Sequence, residues 1–250
     1  MRKHTMIRVG LGLGLTALLT AGCSGDPAGE TTPSAATEQD PAKALATAAA
    51  SLDSNSFKIA MDINDGASKM TGVMDPAKKL GAFTIVDAGA GTGAAPEATT
   101  ELRTVGDAAY LRIDLPGADS SAGLDAKWRR LPAGAAAGAI TGASFDAAKA
   151  GRSLQQATDV QRVSDKEFKG TLDLKKSGEA FGLTPADLGK LSTTTMPFQA
   201  TVDDAGRLVR YNFTTPAVTT AEAEKTVITY SDYGTPVDVQ APPAAEISTT

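Results

Sequence analysis

The sequence predicts an α+β domain in which an antiparallel sheet of about ten strands dominates and three or four helices are subsidiary. Three observations carry this. Apolar and polar residues alternate at period two in one segment after another, the pattern of strands with one buried face. Turn-forming residues separate these segments at hairpin spacing. Helical signals are few, and the clearest come with a cap.

Asp40-Pro41 opens the first helix, with Asp as N-cap and Pro at the first helical position. It runs to about Leu52, and Leu45 and Leu52 share a face with Ala48 and Ala49. Phe57, Ile59, Met61 and Ile63 then form the apolar face of a strand whose other face carries Lys58, Ala60 and Asp62. Asn64-Asp65-Gly66 turns the chain. This turn is no calcium loop: its glycine falls one place early, and Val73 stands where the last glutamate belongs. Strands follow over 69–74 and 80–86. Residues 88–98 form a glycine-containing loop, with neither the Gly-Lys-Ser/Thr nor the helix that a phosphate cradle needs. Strands over 101–105 and 108–114 flank Gly106-Asp107, a two-residue hairpin turn. Leu111 and Ile113 face one way on the second of these.

Residues 115–126 read as loop and 128–132 as a short extended segment. Ser144 caps a helix expected over 145–156. Strands at 160–164 and 168–174 make another hairpin. Thr184-Pro185, with Asp187 on the positive end, starts a short helix reaching Lys190. Three strands complete the set. Phe198, Ala200 and Val202 share a face of the first, and Val209, Tyr211 and Phe213 of the second. Asp203-Asp204-Ala205-Gly206 is the turn between them, which explains both carboxylates without a catalytic role. The third strand spans 226–233. The Pro-rich end, residues 241–250, is expected to fray. Residues 40–240 make one domain, with no internal repeat.

The N-terminus is of another kind. Arg2, Lys3 and Arg8 flank an apolar run from Val9 to Leu19, followed by small residues up to Cys23. A charged start, a short apolar core and small residues mark an export signal, and the run is too short to span a bilayer. Thr20-Ala21-Gly22-Cys23 resembles a bacterial lipobox, with Thr20 where Leu or Val is usual. The resemblance implies cleavage of residues 1–22 and acylation of Cys23. The protein would then be held to the outer leaflet of the cell membrane by acyl chains, two or more of which anchor stably. Residues 23–39 are the lipidated cysteine and a tether without large apolar side chains, expected to be disordered. Such a tether reaches about 20 Å.

Composition narrows the chemistry. The 250 residues include one cysteine and one histidine. His4 falls within the signal and Cys23 is the acylation site, so the exported chain has neither imidazole nor free thiol. That excludes Ser-His-Asp and Cys-His nucleophiles, Cys/His zinc sites and disulfides. Carboxylate-only catalysis, Ser-Lys chemistry and an oxygen-ligand metal site stay open to the remaining residues, while no metal, cofactor or enzymatic activity is expected. The whole chain carries a net charge of −5, and the signal takes three basic and no acidic residues with it. An acidic surface is repelled by phosphate backbones, so nucleic acid is not a partner.

Several features together resemble one family: the lipobox and tether, the Ala-rich first helix, Trp128-x-x-Leu131-Pro132, Met196-Pro197-Phe198, the stretch from Val202 to Val209, and Tyr230 to Val237. The whole looks like the actinobacterial LppX/LprG-type lipoproteins, which are related in shape to the LolA/LolB carriers. The resemblance implies a strongly curved antiparallel half-barrel with helices on its concave face. It also implies an apolar cavity that holds the acyl chains of a lipid or glycolipid for transport across the envelope. Phe57, Ile59, Met61, Ile63, Leu111, Ile113, Phe198, Val202, Val209, Tyr211 and Phe213 are the expected cavity lining. The chain is expected to be a monomer. The other reading is an envelope module with a packed core that binds a protein partner or senses the cell surface. A cavity with apolar walls separates the two.

Overall fold

The strands that come first and last along the chain pair with each other, and that pairing joins two meanders into one sheet. The computed structural model describes residues 40–88, 98–116, 127–131, 147–217 and 222–248. The readings for residues 1–39, Cys23 among them, and for 89–97, 117–126 and 132–146 lie outside the described residues. The strands are β1 (Phe57–Ile63), β2 (Ser68–Asp75), β3 (Leu80–Asp87), β4 (Ala98–Val105), β5 (Ala108–Asp114), β6 (Arg129–Leu131), β7 (Thr158–Arg162), β8 (Glu167–Asp173), β9 (Thr195–Val202), β10 (Leu208–Thr215) and β11 (Glu224–Ser231). They form one sheet in the order β6-β5-β4-β3-β2-β1-β11-β10-β9-β8-β7. Each neighbouring pair is antiparallel. The sheet is open, with β6 and β7 as its edges. The class is α+β, as expected, with eleven strands rather than about ten.

Among the described residues four α-helices accompany the sheet: α1 (Pro41–Ser54), α2 (Ala147–Ser153), α3 (Leu174–Ser177) and α4 (Pro185–Leu188). The Asp40 carboxylate accepts from the Ala42 amide at 2.8 Å, the expected cap of α1. Leu45, Ala48, Ala49 and Leu52 of α1 are buried in the same apolar cluster as the strand residues Phe57, Ile59, Tyr211 and Tyr230. At Gly151 of α2 a Cβ would fall 2.5 Å from Leu52 Cδ1 and 2.6 Å from the Tyr230 hydroxyl. Glycine therefore lets α2 rest its backbone directly on α1 and the sheet. Thr184 and Asp187 form the reciprocal capping box at the start of α4.

Three local expectations change. Leu174, read as strand, starts α3 instead, because the Asp173 carboxylate accepts from the Lys175 amide at 3.0 Å and caps a helical turn. Val209, read as inward, is the extra residue of a bulge: Leu208 pairs with Val202 and Arg210 with Thr201. Two residues then oppose one, and Leu208 takes the inward place at 0 % exposure. The C-terminal stretch, read as frayed, is tied down through residue 248. Trp128 donates its amide to the Glu246 carbonyl at 2.9 Å, and Ser248 donates to the Trp128 carbonyl at 2.7 Å. Val237 and Val239 are buried. The anchor is Trp128, itself buried, with the Arg103 and Arg112 guanidiniums 4.6 and 5.1 Å from its ring centre.

Asp203 organises the turn between β9 and β10. One carboxylate oxygen accepts from the Ala205 and Arg207 amides, both at 2.9 Å, and the other accepts from Arg207 Nε at 2.8 Å. Asp204 pairs instead with Lys166 at 2.7 Å. Burial alone would raise the Asp203 carboxyl, but the hydrogen bonds and charge of Arg207 outweigh it and hold the group below its ordinary value. A carboxylate depressed on folding stabilises the fold above its unfolded pKa, and that stabilisation is lost as pH falls through the folded value. Asp203→Ala is therefore expected to cost about 1–3 kcal/mol at neutral pH. The difference from wild type should shrink in acid. Urea denaturation as a function of pH checks both, and an unchanged midpoint at pH 7 would contradict this role.

Candidate functional site: two faces of one sheet

Pairing register assigns every strand residue to one of two faces. Phe57, Ile59, Met61 and Ile63 of β1 share the inner face with Ile228 and Tyr230 of β11. The same face continues through Tyr211 and Phe213 to Ala200 and Phe198. In the other direction it passes through Met70 and Gly72 to Ile85 and Phe83, then to Thr100 and Leu102, and ends on Ile113 and Leu111. All the expected lining residues except Val209 thus meet on one face, although they come from both meanders.

That face has two unlike halves. Around β1 and β9–β11 it is filled. Phe57, Ile59, Met61, Phe198, Val202, Tyr211 and Phe213 are buried and form one cluster with α1. Ring contacts lock it: Phe198 to Tyr211 at 5.8 Å, Tyr211 to Phe213 at 4.8 Å and Phe181 to Phe213 at 5.0 Å between centroids. Among the described residues the Tyr211 hydroxyl is buried without a hydrogen-bond partner. Burial pushes its pKa up; Ser153, already committed to the Ala150 carbonyl at 2.6 Å, opposes this only partly. Here the expected hollow is packed protein.

On β2–β5 the inner face is shallower. Gly72 and Gly81 lie beneath the Phe83 ring. A Cβ on Gly72 would come 2.5 Å from Phe83 Cδ1, and one on Gly81 would come 2.9 Å from Cε2. The ring thus lies over both glycines instead of standing up from the sheet. Ala109, Thr100 and Thr104 are small. Met74, Phe83, Leu111 and Ile113 are half-buried, and Leu111 and Ile113 stand outside the packed cluster. Met70, Ile85 and Leu102 of the same face are buried, so the partly exposed apolar side chains here are Met74, Phe83, Leu111 and Ile113, continuous with the core.

The opposite face is polar, and across β7–β11 and β1 it carries a depression of about 1010 Å³. A twisted sheet is saddle-shaped, so each face is hollow along one diagonal. Phe198 and Phe213 also border this depression. At its end Asn64 accepts from the Lys225 amide at 2.9 Å, and Asp65 pairs with Lys225 Nζ at 2.8 Å. The Asn64-Asp65-Gly66 turn is therefore engaged with β11. Among the described residues no group of three or more His, Cys, Asp or Glu side chains gathers as a metal site. None of the described helices is long and apolar enough to cross a membrane.

No model of a known protein family matches the chain, and no curated protein matches it either. Function therefore rests on the two faces themselves.

Packing on β9–β11 makes a direct prediction. Ala200 is 2 % exposed between Phe168 and Tyr211. Ala200→Phe should lose about 1–3 kcal/mol through overpacking. Chemical denaturation measures this, and a loss near zero would mean that this half of the interior is hollow after all.

Proposed function

We propose that the protein is an envelope-anchored carrier that binds the acyl chains of a lipid or glycolipid and catalyses no reaction. In this reading the sheet is a strongly curved half-barrel with helices on its concave face. The acyl chains lie over β2–β5, not over the filled half. The observation that carries it is the half-buried apolar surface of Met74, Phe83, Leu111 and Ile113, continuous with the core and floored by Gly72 and Gly81. Each methylene removed from water there would contribute about 0.8 kcal/mol. A lipid has enough of them to offset the cost of immobilising it. The headgroup stays at the margin, because burying it unpaired is costly. Acylation at Cys23, with residues 24–39 as tether, would hold the carrier at the cell membrane, where such ligands are found.

Extraction and mass analysis of the purified protein tests the reading. Lipid should copurify with wild type. Leu111→Asp should lower its amount severalfold and leave the melting temperature within a few degrees, since Leu111 lies outside the packed cluster. A protein that never copurifies with lipid, from any preparation, supports the packed interaction module instead. The anchor is tested separately. Cys23→Ala should move the protein from the membrane fraction to the soluble one or leave the precursor uncut, and a variant that fractionates and migrates like wild type removes the lipid anchor.

A further inference from the structure

The polar depression offers what the apolar face does not: a row of mostly polar side chains, few of them already hydrogen-bonded among the described residues. Pairing register places Gln161, Lys169, Gln199, Asn212, Val227 and Asp62 side by side on successive strands from β7 to β1. All six border the depression. Five steps of about 4.8 Å make the row about 24 Å long, enough for an oligomer rather than a single small molecule. Of the six, only Asn212 has a side-chain hydrogen bond among the described residues, accepting from Arg210 Nε at 3.1 Å.

The chemistry of the lining selects the ligand. Its acids, Asp62, Asp65 and Asp159, are balanced by Lys169, Arg210 and Lys225. A site with no net charge is suited neither to an anion nor to a cation. An apolar ligand would desolvate the amides without replacing their hydrogen bonds. An extended peptide binds best at an open strand edge, where it adds backbone hydrogen bonds; this floor is a sheet face whose backbone groups are already paired. The amides of Gln161, Gln199 and Asn212 each donate and accept, as hydroxyl groups do. Val227 and Pro197 add apolar contact beside them.

We propose that this face binds a neutral oligosaccharide laid across the strands, its hydroxyls paired with the amide row. The site is on the opposite side of the sheet from the acyl-chain surface and does not depend on that reading. The test uses the purified full chain with maltohexaose, cellohexaose and the hexamer of N-acetylglucosamine, by saturation-transfer NMR and calorimetry. At least one should bind, with affinity unchanged between low and high salt, since no net charge is involved. Gln199→Ala with Asn212→Ala should weaken it by about tenfold or more, the effect of two lost hydrogen bonds, at an unchanged melting temperature. If that pair lowers the melting temperature, Gln161→Ala with Lys169→Ala takes its place, with the same loss expected. No binding of any of the three, binding equal in wild type and variant, or binding abolished by salt each overturns the proposal.

Discussion

The structure depends on the pairing of β1 with β11. Six residue pairs, from Lys58 with Ser231 to Ile63 with Thr226, join the start of the folded chain to its end. Without this seam there would be two separate meanders, each with two open edges and half a core. The seam is built at several levels. Phe57 meets Tyr230 edge-to-face at 5.7 Å and Tyr233 at 6.0 Å. Just outside the ladder, Gly234 donates to the Ser56 carbonyl at 2.9 Å and the Ser56 hydroxyl donates to the Thr235 carbonyl at 2.6 Å. A one-residue slip would turn Phe57, Ile59 and Met61 to solvent, so burial fixes the register. The Lys58–Asp232 ion pair beside it is exposed and adds little. Because the seam closes nearly the whole chain, its contacts form against a large loop entropy, and folding of this domain should be slow for its size.

Strands and hairpins were legible in the sequence because their signals are local. Period-two alternation located Phe57–Ile63 and Ala108–Asp114, and Gly106-Asp107 and Asp203 to Gly206 marked two turns. The inner face was legible too, since alternation alone divides a strand into two faces. What stayed hidden depends on distant partners. Nothing near Val209 signals that β10 gains a residue relative to β9. Nothing in the Pro-rich end shows that Trp128 will capture Glu246 and Ser248. The order of strands is not written locally either: β1 could have been an edge. The polar row was missed for a related reason. Gln161, Lys169, Gln199, Asn212 and Asp62 look like ordinary solvent-facing positions until register sets them side by side.

The two faces solve opposite problems with the same strands. Inside, the filled half gains from bulk: Phe198, Tyr211, Phe213 and Tyr230 interlock with α1, and this half carries the stability. A Tyr211 hydroxyl without a partner among the described residues is tolerated there at a cost, because the ring packs against Phe198 and Phe213. Outside, the same strands put forward amides and balanced charges, which keep the face wet and unsuited to sheet-on-sheet stacking.

The asymmetry within the inner face has a physical consequence for the proposed carrier. Core packing requires bulky side chains from both layers to fill the space between them. On β2–β5 the face is mixed: Met70, Ile85 and Leu102 are buried, while Gly72, Gly81, Ala109 and two threonines lie among them, with Phe83 laid over the glycines. Filling either glycine would force the ring up: a Cβ at Gly72 collides with Phe83 and with the Ala82 carbonyl. The low floor is therefore enforced by close contacts and is not merely a shortage of large residues. A flat apolar floor suits chains that are long, thin and variable in length, since such a surface sets no fixed end point. A cavity shaped around one rigid ligand would need standing side chains to define its walls. In the proposed carrier the cluster around α1, which reaches Met70 and Ile85, holds the fold, and Leu111 and Ile113 beyond it are the side chains that a ligand would cover.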